Sequence, residues 1–153
     1  MQIDASHWKD LAVVQFKLVQ HYFSQFLHVW STDDDAHYQG NIDSTALGGA
    51  LTLRLEYMPR HPDVCPQLYV WDPIKLPLHV GLFPGQTINE KGRCHEFHTN
   101  ENGPSGRVCI CHINTSQWEP SMTYAQVLLK GALWINAYEA HLQTGAPIAE
   151  YFC

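Results

Sequence analysis

Hydrophobic positions recur at helical spacing over residues 6–27. Trp8, Leu11, Val14, Leu18 and Tyr22 form a stripe, and Phe16, Val19 and Phe23 widen it. Ser6 stands where an N-cap is expected. The pattern then changes. The polar run STDDDAH reads as a turn, and HYQGNI opens a strand-rich region. In GGALTLRLEY the period falls to two, with Leu51, Leu53, Leu55 and Tyr57 on one face and Thr52, Arg54 and Glu56 on the other. That alternation predicts an antiparallel strand with one buried face. Pro59, Pro62 and Pro66 keep the next connection from being helical. QLYVW then predicts a third short strand.

Residues 72–97 carry Pro and Gly throughout and read as a long loop, with one short strand at LHVGLF. GRVCICHI is again strand-like. From Thr123 the spacing turns helical, through Val127, Leu128, Gly131, Trp134, Ile135, Tyr138 and Leu142. Thr123 and Gln126 fit a capping box, and Gly145 with Pro147 supplies the stop. The order of helix, antiparallel meander, irregular loop and long helix predicts an α+β fold. The whole of residues 1–153 suits a single domain with a real core.

Composition narrows the classes of function. Hydrophobic residues make up 45% and charged residues 16%, the balance of a folded chain rather than a disordered one. A formal net charge of -6 provides no basic footprint for a nucleic acid. No apolar run is long enough to span a bilayer. The start MQIDASHWKD has no basic segment followed by an apolar one, so a cytoplasmic protein with reduced thiols is expected. The cysteines are Cys65, Cys94, Cys109, Cys111 and Cys153, and Cys153 reads as an incidental exposed thiol.

EFHTNENGPSGRVCICHINTSQWEPSMTYAQVLL concentrates the candidate chemistry. Cys94, His95, His98, Cys109, Cys111 and His112 have the side chains of a zinc site. Their spacing is poor for one, because Cys-x-Cys on a strand puts both thiols on one face with no turn to converge them. A core strand with small apolar thiols is a second reading. The third is a nucleophilic cysteine. Acyl transfer through a thiol also needs a donor for the oxyanion, and Asn100 has the right side chain. Trp118 and Pro120 suit a rigid brace.

The ordered set His98-Thr99-Asn100, Gly106-Arg107-Val108-Cys109, Trp118-Glu119-Pro120-Ser121-Met122-Thr123 and AQVLL resembles the ubiquitin-conjugating enzyme family. Its counterparts there are His-Pro-Asn, Gly-x-Ile-Cys and Trp-x-Pro-x-x-Thr, with Thr99 here in place of the middle Pro. DDAHYQGNI, GGALTLRLEY and MPRHPDVCP are similar to the family's first strands and proline-rich bend. The resemblance runs from about residue 36 to 142. It implies that family's α+β fold without the two C-terminal helices of eukaryotic members. The short C-terminal part with YEAHLQTG looks more like the bacterial branch. That branch occurs in ubiquitin-like conjugation modules and in cyclic-oligonucleotide (CBASS-type) antiphage defence.

The resemblance implies that Cys109 accepts an activated protein C-terminus as a thioester and that Asn100 stabilises the oxyanion when an amine attacks. It places His98 as support for the Asn loop, and Trp118, Pro120 and Thr123 as scaffold. Cys111 is the rival nucleophile, and His112 would depress a thiol pKa if it lay close. The implied cargo is the C-terminus of a cGAS-like nucleotidyltransferase or of a ubiquitin-like protein, and an activating enzyme is a further candidate partner, with any use of ATP lying upstream of this chain. No metal or organic cofactor is required, and no G-x4-G-K-[ST] phosphate loop is present. The alternatives are a non-catalytic binding module of the same fold and a zinc-stabilised interaction domain.

Overall fold

The computed structural model describes residues 7–44 and 49–152. The sequence expectations for Ser6 and Cys153 lie outside them. The architecture is α+β: helix α1 (Trp8–Tyr22), a six-stranded antiparallel sheet and helix α2 (Tyr124–Thr144). The strands are β1 (Leu27–Thr32), β2 (Asp35–Ser44), β3 (Gly49–Tyr57), β4 (Gln67–Asp72), β5 (Thr99–Asn100) and β6 (Cys109–Ile110), in spatial order β1-β2-β3-β4-β6-β5. The first four form a meander, and β6 then inserts between β4 and β5.

β3 follows the alternation read from the sequence. Leu51, Leu53, Leu55 and Tyr57 are buried, and Thr52, Arg54 and Glu56 lie on the opposite face. β4 repeats the pattern, burying Leu68 and Val70. These side chains meet α2, whose Leu128, Trp134, Ile135 and Tyr138 are fully enclosed. Trp134 Nε1 donates to the Phe97 carbonyl at 3.0 Å, which ties the helix to the segment entering β5. Gly131 faces Leu53 and Leu68, so the missing Cβ lets helix and sheet approach.

The expected helix of residues 6–27 is two elements. α1 ends at Tyr22, and residues from Leu27 onward are a strand. Phe26 makes the change of direction by burying its ring against Gly40 of β2. The buried face of α1 is also rotated from the predicted stripe. Ala12, Gln15 and Val19 are buried, whereas Val14, Phe16 and Tyr22 are exposed. Gln15 explains the rotation. Its Nε2 donates to the Met122 carbonyl and its Oε1 accepts from Tyr124 N–H, both at 2.9 Å. A polar side chain satisfied at both ends outranks apolar spacing in choosing the inward face.

Residues 72–97 do not contain the predicted strand at LHVGLF. Isolated bridges pair Pro77 with Thr87 and Cys94 with Thr99, and a 3-10 turn lies between them at Ile88–Lys91. Leu76, Leu78 and Ile88 anchor this excursion in the core. His141 of α2 fixes its tip: Nε2 accepts from His79 N–H at 3.1 Å, and Nδ1 contacts the Ala146 carbonyl at 2.7 Å. At the start of α2 the capping box is present, with Thr123 Oγ1 accepting from Gln126 N–H and Gln126 Oε1 accepting from Thr123 N–H. Gly145 ends the helix in the left-handed conformation, as read from the sequence.

Candidate functional site

β6 is only two residues long, and the candidate chemistry converges on it. Cys109 lies directly across from Tyr69 of β4 on one side and Asn100 of β5 on the other. Register therefore does what sequence distance hides: it sets the amide of Asn100 beside the thiol. Val108 and Ile110 point into the core, so Cys109 faces the other side of the sheet. That face also carries Gln67, whose Oε1 accepts from the Cys109 thiol with an Sγ–Oε1 distance of 3.4 Å.

Two loops hold this arrangement. The first is residues 101–107, which turn on Ser105 and Gly106, both at positive φ. Asn89 clasps it from outside, with its Nδ2 donating to the Gly106 carbonyl at 2.8 Å and its own carbonyl accepting from Asn102 Nδ2 at 2.7 Å. Gly103 lies against the Tyr69 ring so closely that a Cβ there would collide with it. Arg107 Nε donates to the Trp71 carbonyl, and the guanidinium stacks over the Trp71 ring at 4.0 Å. The second loop is the Trp118–Thr123 segment. Trp118 Nε1 donates to the Pro62 carbonyl at 3.0 Å, and its ring stacks on Tyr124. Pro120 is half-buried in the turn before α2.

Beside Cys109 opens a cleft of about 550 Å³, lined in part by Gln67, Arg93, Asn100, Asn102, Cys111 and Asn114. Amides dominate it, so it offers paired donors and acceptors with little net charge. The two thiols stand differently towards it. Cys109 is 2% exposed, and burial pushes its thiol up to about 11, against which the Asn100 side-chain hydrogen bond works by favouring the thiolate. Cys111 is half-buried on the cleft wall. Cys109 is therefore not presented at the surface, because its strand lies between β4 and β5. Cys111 is the more accessible of the pair.

His98 joins the site through its backbone. Its φ of 56° is left-handed, its carbonyl accepts from Cys111 N–H at 3.0 Å, and its ring stacks on Phe152 with centroids 4.8 Å apart. It lines a second pocket, of about 330 Å³, with Cys111, Lys130 and Leu133. Burial lowers its pKa, so the ring is neutral near pH 7. His112 does not serve the candidate thiol. Its Nε2 lies 2.8 Å from the Pro66 carbonyl and 3.8 Å from Cys65 Sγ, and burial lowers its pKa. A neutral imidazole gives no thiolate its charge partner, and burial pushes Cys65 to about 11. Among the described residues no three His, Cys, Asp or Glu side chains are grouped to hold a metal ion.

The sequence reading did not single out Gln67, Tyr69 and Gln15. The first two were accessible in principle: the alternation that buries Leu68 and Val70 puts Gln67 and Tyr69 on the other face. Which strand they would neighbour depends on a register that local sequence does not encode. No helix described is long and apolar enough to cross a membrane. No known family model, curated protein or solved structure matches the chain.

Proposed function

We propose that this chain is a thioester carrier of the ubiquitin-conjugating type, with Cys109 receiving an activated protein C-terminus and passing it to an amine. One observation carries the reading: Asn100 and Cys109, separated by eight intervening residues, are direct cross-strand partners beside an amide-lined cleft. An amide fixed there is placed to donate to the oxyanion formed when a thioester carbonyl is attacked. The α+β order of helix, meander and long helix, with a Trp-braced turn leading into α2, agrees with that family's fold. Loading requires the buried Cys109 thiol to become accessible from the cleft. The cargo we assign is the C-terminus of a cGAS-like nucleotidyltransferase or of a ubiquitin-like protein, in a cytoplasmic antiphage (CBASS-type) setting.

A second reading uses the same cleft with Cys111 as the carrier, and the greater exposure of that thiol favours it. Intact-mass analysis without reductant, after co-expression with a candidate activating enzyme and cargo, separates the two. The expected outcome is a thiol-labile protein adduct on wild type that Cys109→Ser converts to a reductant-stable ester and Cys111→Ser leaves unchanged. An adduct lost only in Cys111→Ser assigns the carrier to Cys111. No adduct in any form returns the chain to a binding module.

A further inference from the structure

The Cys109 thiol has two amide neighbours, and the reading above uses only one. Gln67 Oε1 accepts the S–H of Cys109, and the same side chain forms part of the cleft wall beside Asn100. A carboxamide has an acceptor end and a donor end. With the oxygen on the thiol, the Nε2 end makes no hydrogen bond within the described residues, and the side chain as a whole lines the cleft. We propose that Gln67 is a second oxyanion donor and the resting-state anchor of the thiol, working as a pair with Asn100. This rests on Cys109 being the carrier.

The roles follow the bonds. At rest, Cys109 S–H donates to Gln67 Oε1. On loading, Sγ attacks the incoming thioester carbon, the S–C bond forms, and the donor's sulfur leaves with the proton. The thiol no longer donates, so Gln67 Oε1 loses its reason to face Sγ and the carboxamide is released to present Nε2. On transfer, the amine nitrogen bonds to the same carbon, and the oxyanion takes N–H donors from Asn100 and Gln67. The C–S bond then breaks with its electron pair staying on sulfur. The amine's surplus proton passes to water, Sγ takes one back, and the S–H returns to Gln67. Asn100 approaches from β5 and Gln67 from β4, so the two donors flank the thiol from opposite sides of β6.

Gln67→Ala and Gln67→Glu test this on the full chain. The probe is an acetyl-Gly-Gly thioester of mercaptoethanesulfonate, with the acylated cysteine located by peptide mapping. Discharge to glycinamide is then followed by intact mass. Gln67→Ala is expected to load and then discharge about a hundredfold more slowly, the low end for loss of one oxyanion donor. Gln67→Glu keeps the size of the side chain and its acceptor but has no donor. Its loading is expected to need a pH about one unit higher, since a carboxylate beside the thiol opposes ionisation. Its discharge is expected to be as slow as that of Gln67→Ala. Discharge of Gln67→Glu within about twofold of wild type overturns the donor role, because a single lost donor costs far more. If wild type takes no acyl group on Cys109 while Cys111 does, the carrier assignment itself fails and this inference falls with it.

Discussion

The meander and the β5–β6 corner are parts of one sheet built to different standards. β2 and β3 pair continuously from Ala36↔Tyr57 to Ser44↔Gly49. β6 meets β4 at the single pair Tyr69↔Cys109 and meets β5 at two. In the meander, backbone ladders and a leucine face hold the strands in place. In the corner, side chains do that work: Asn89 clasps a turn, Arg107 covers Trp71, and Trp134 reaches the Phe97 carbonyl. The candidate chemistry sits where regular pairing is shortest, and so where neighbouring residues are held least by backbone ladders.

Breaking the shared core should erase the difference altogether. Trp134→Ala removes a fully buried indole and its bond to Phe97, and a loss of about 3–5 kcal/mol in urea unfolding is expected. Both regions should unfold together. A smaller change should act mainly on the corner. Gln15→Ala orphans the Met122 carbonyl and the Tyr124 N–H, with an expected cost of about 2 kcal/mol. Hydrogen exchange should show the Trp118–Tyr124 segment opening first while the β2–β3 amides stay protected. Thr123→Ala removes the cap alone and should cost about 1 kcal/mol, read as a lower denaturant midpoint.

The thiols give a comparison within the corner. Cys111 should alkylate first at neutral pH, and Cys109 labelling should climb steeply towards its value of about 11. The same shift bears on stability. The folded state holds the Cys109 proton to a higher pH than the unfolded chain does. The stabilisation is therefore complete below the unfolded value of 9.0 and is lost as pH rises through about 11. Burial raises Tyr57 and Tyr69 in the same direction, both to about 12, so alkaline unfolding should be sharper than Cys109 alone would make it. Equal labelling rates for Cys109 and Cys111 at pH 7.5 would show that the corner opens freely.

What the sequence revealed divides along the same line. β3, the capping box at Thr123 and the glycine stop at Gly145 were legible, because each depends on neighbours in sequence. Asn100 and Cys109 were named from motif order, but their contact is a matter of register. α1 was misread because Gln15, polar and buried, looked like an outward position, and because LHVWST continues an apolar run that its β-branched and aromatic residues turn into a strand. The 72–97 excursion was opaque for a related reason. Leu76, Leu78 and Ile88 are anchored by burial in the shared core, with scarcely a ladder of their own.

The Gln15 brace has a bearing on timing. Its two hydrogen bonds join residues 107 and 109 positions apart, spanning nearly everything between the two helices. Closing so wide a loop is among the last events available to a folding chain. During synthesis the meander ladder can pair while α2 is still inside the ribosome, but the turn leading into α2 has no brace until that helix emerges. The Gln15 brace and the α2 side of the core would thus form together, after the backbone ladder of the meander is already in place.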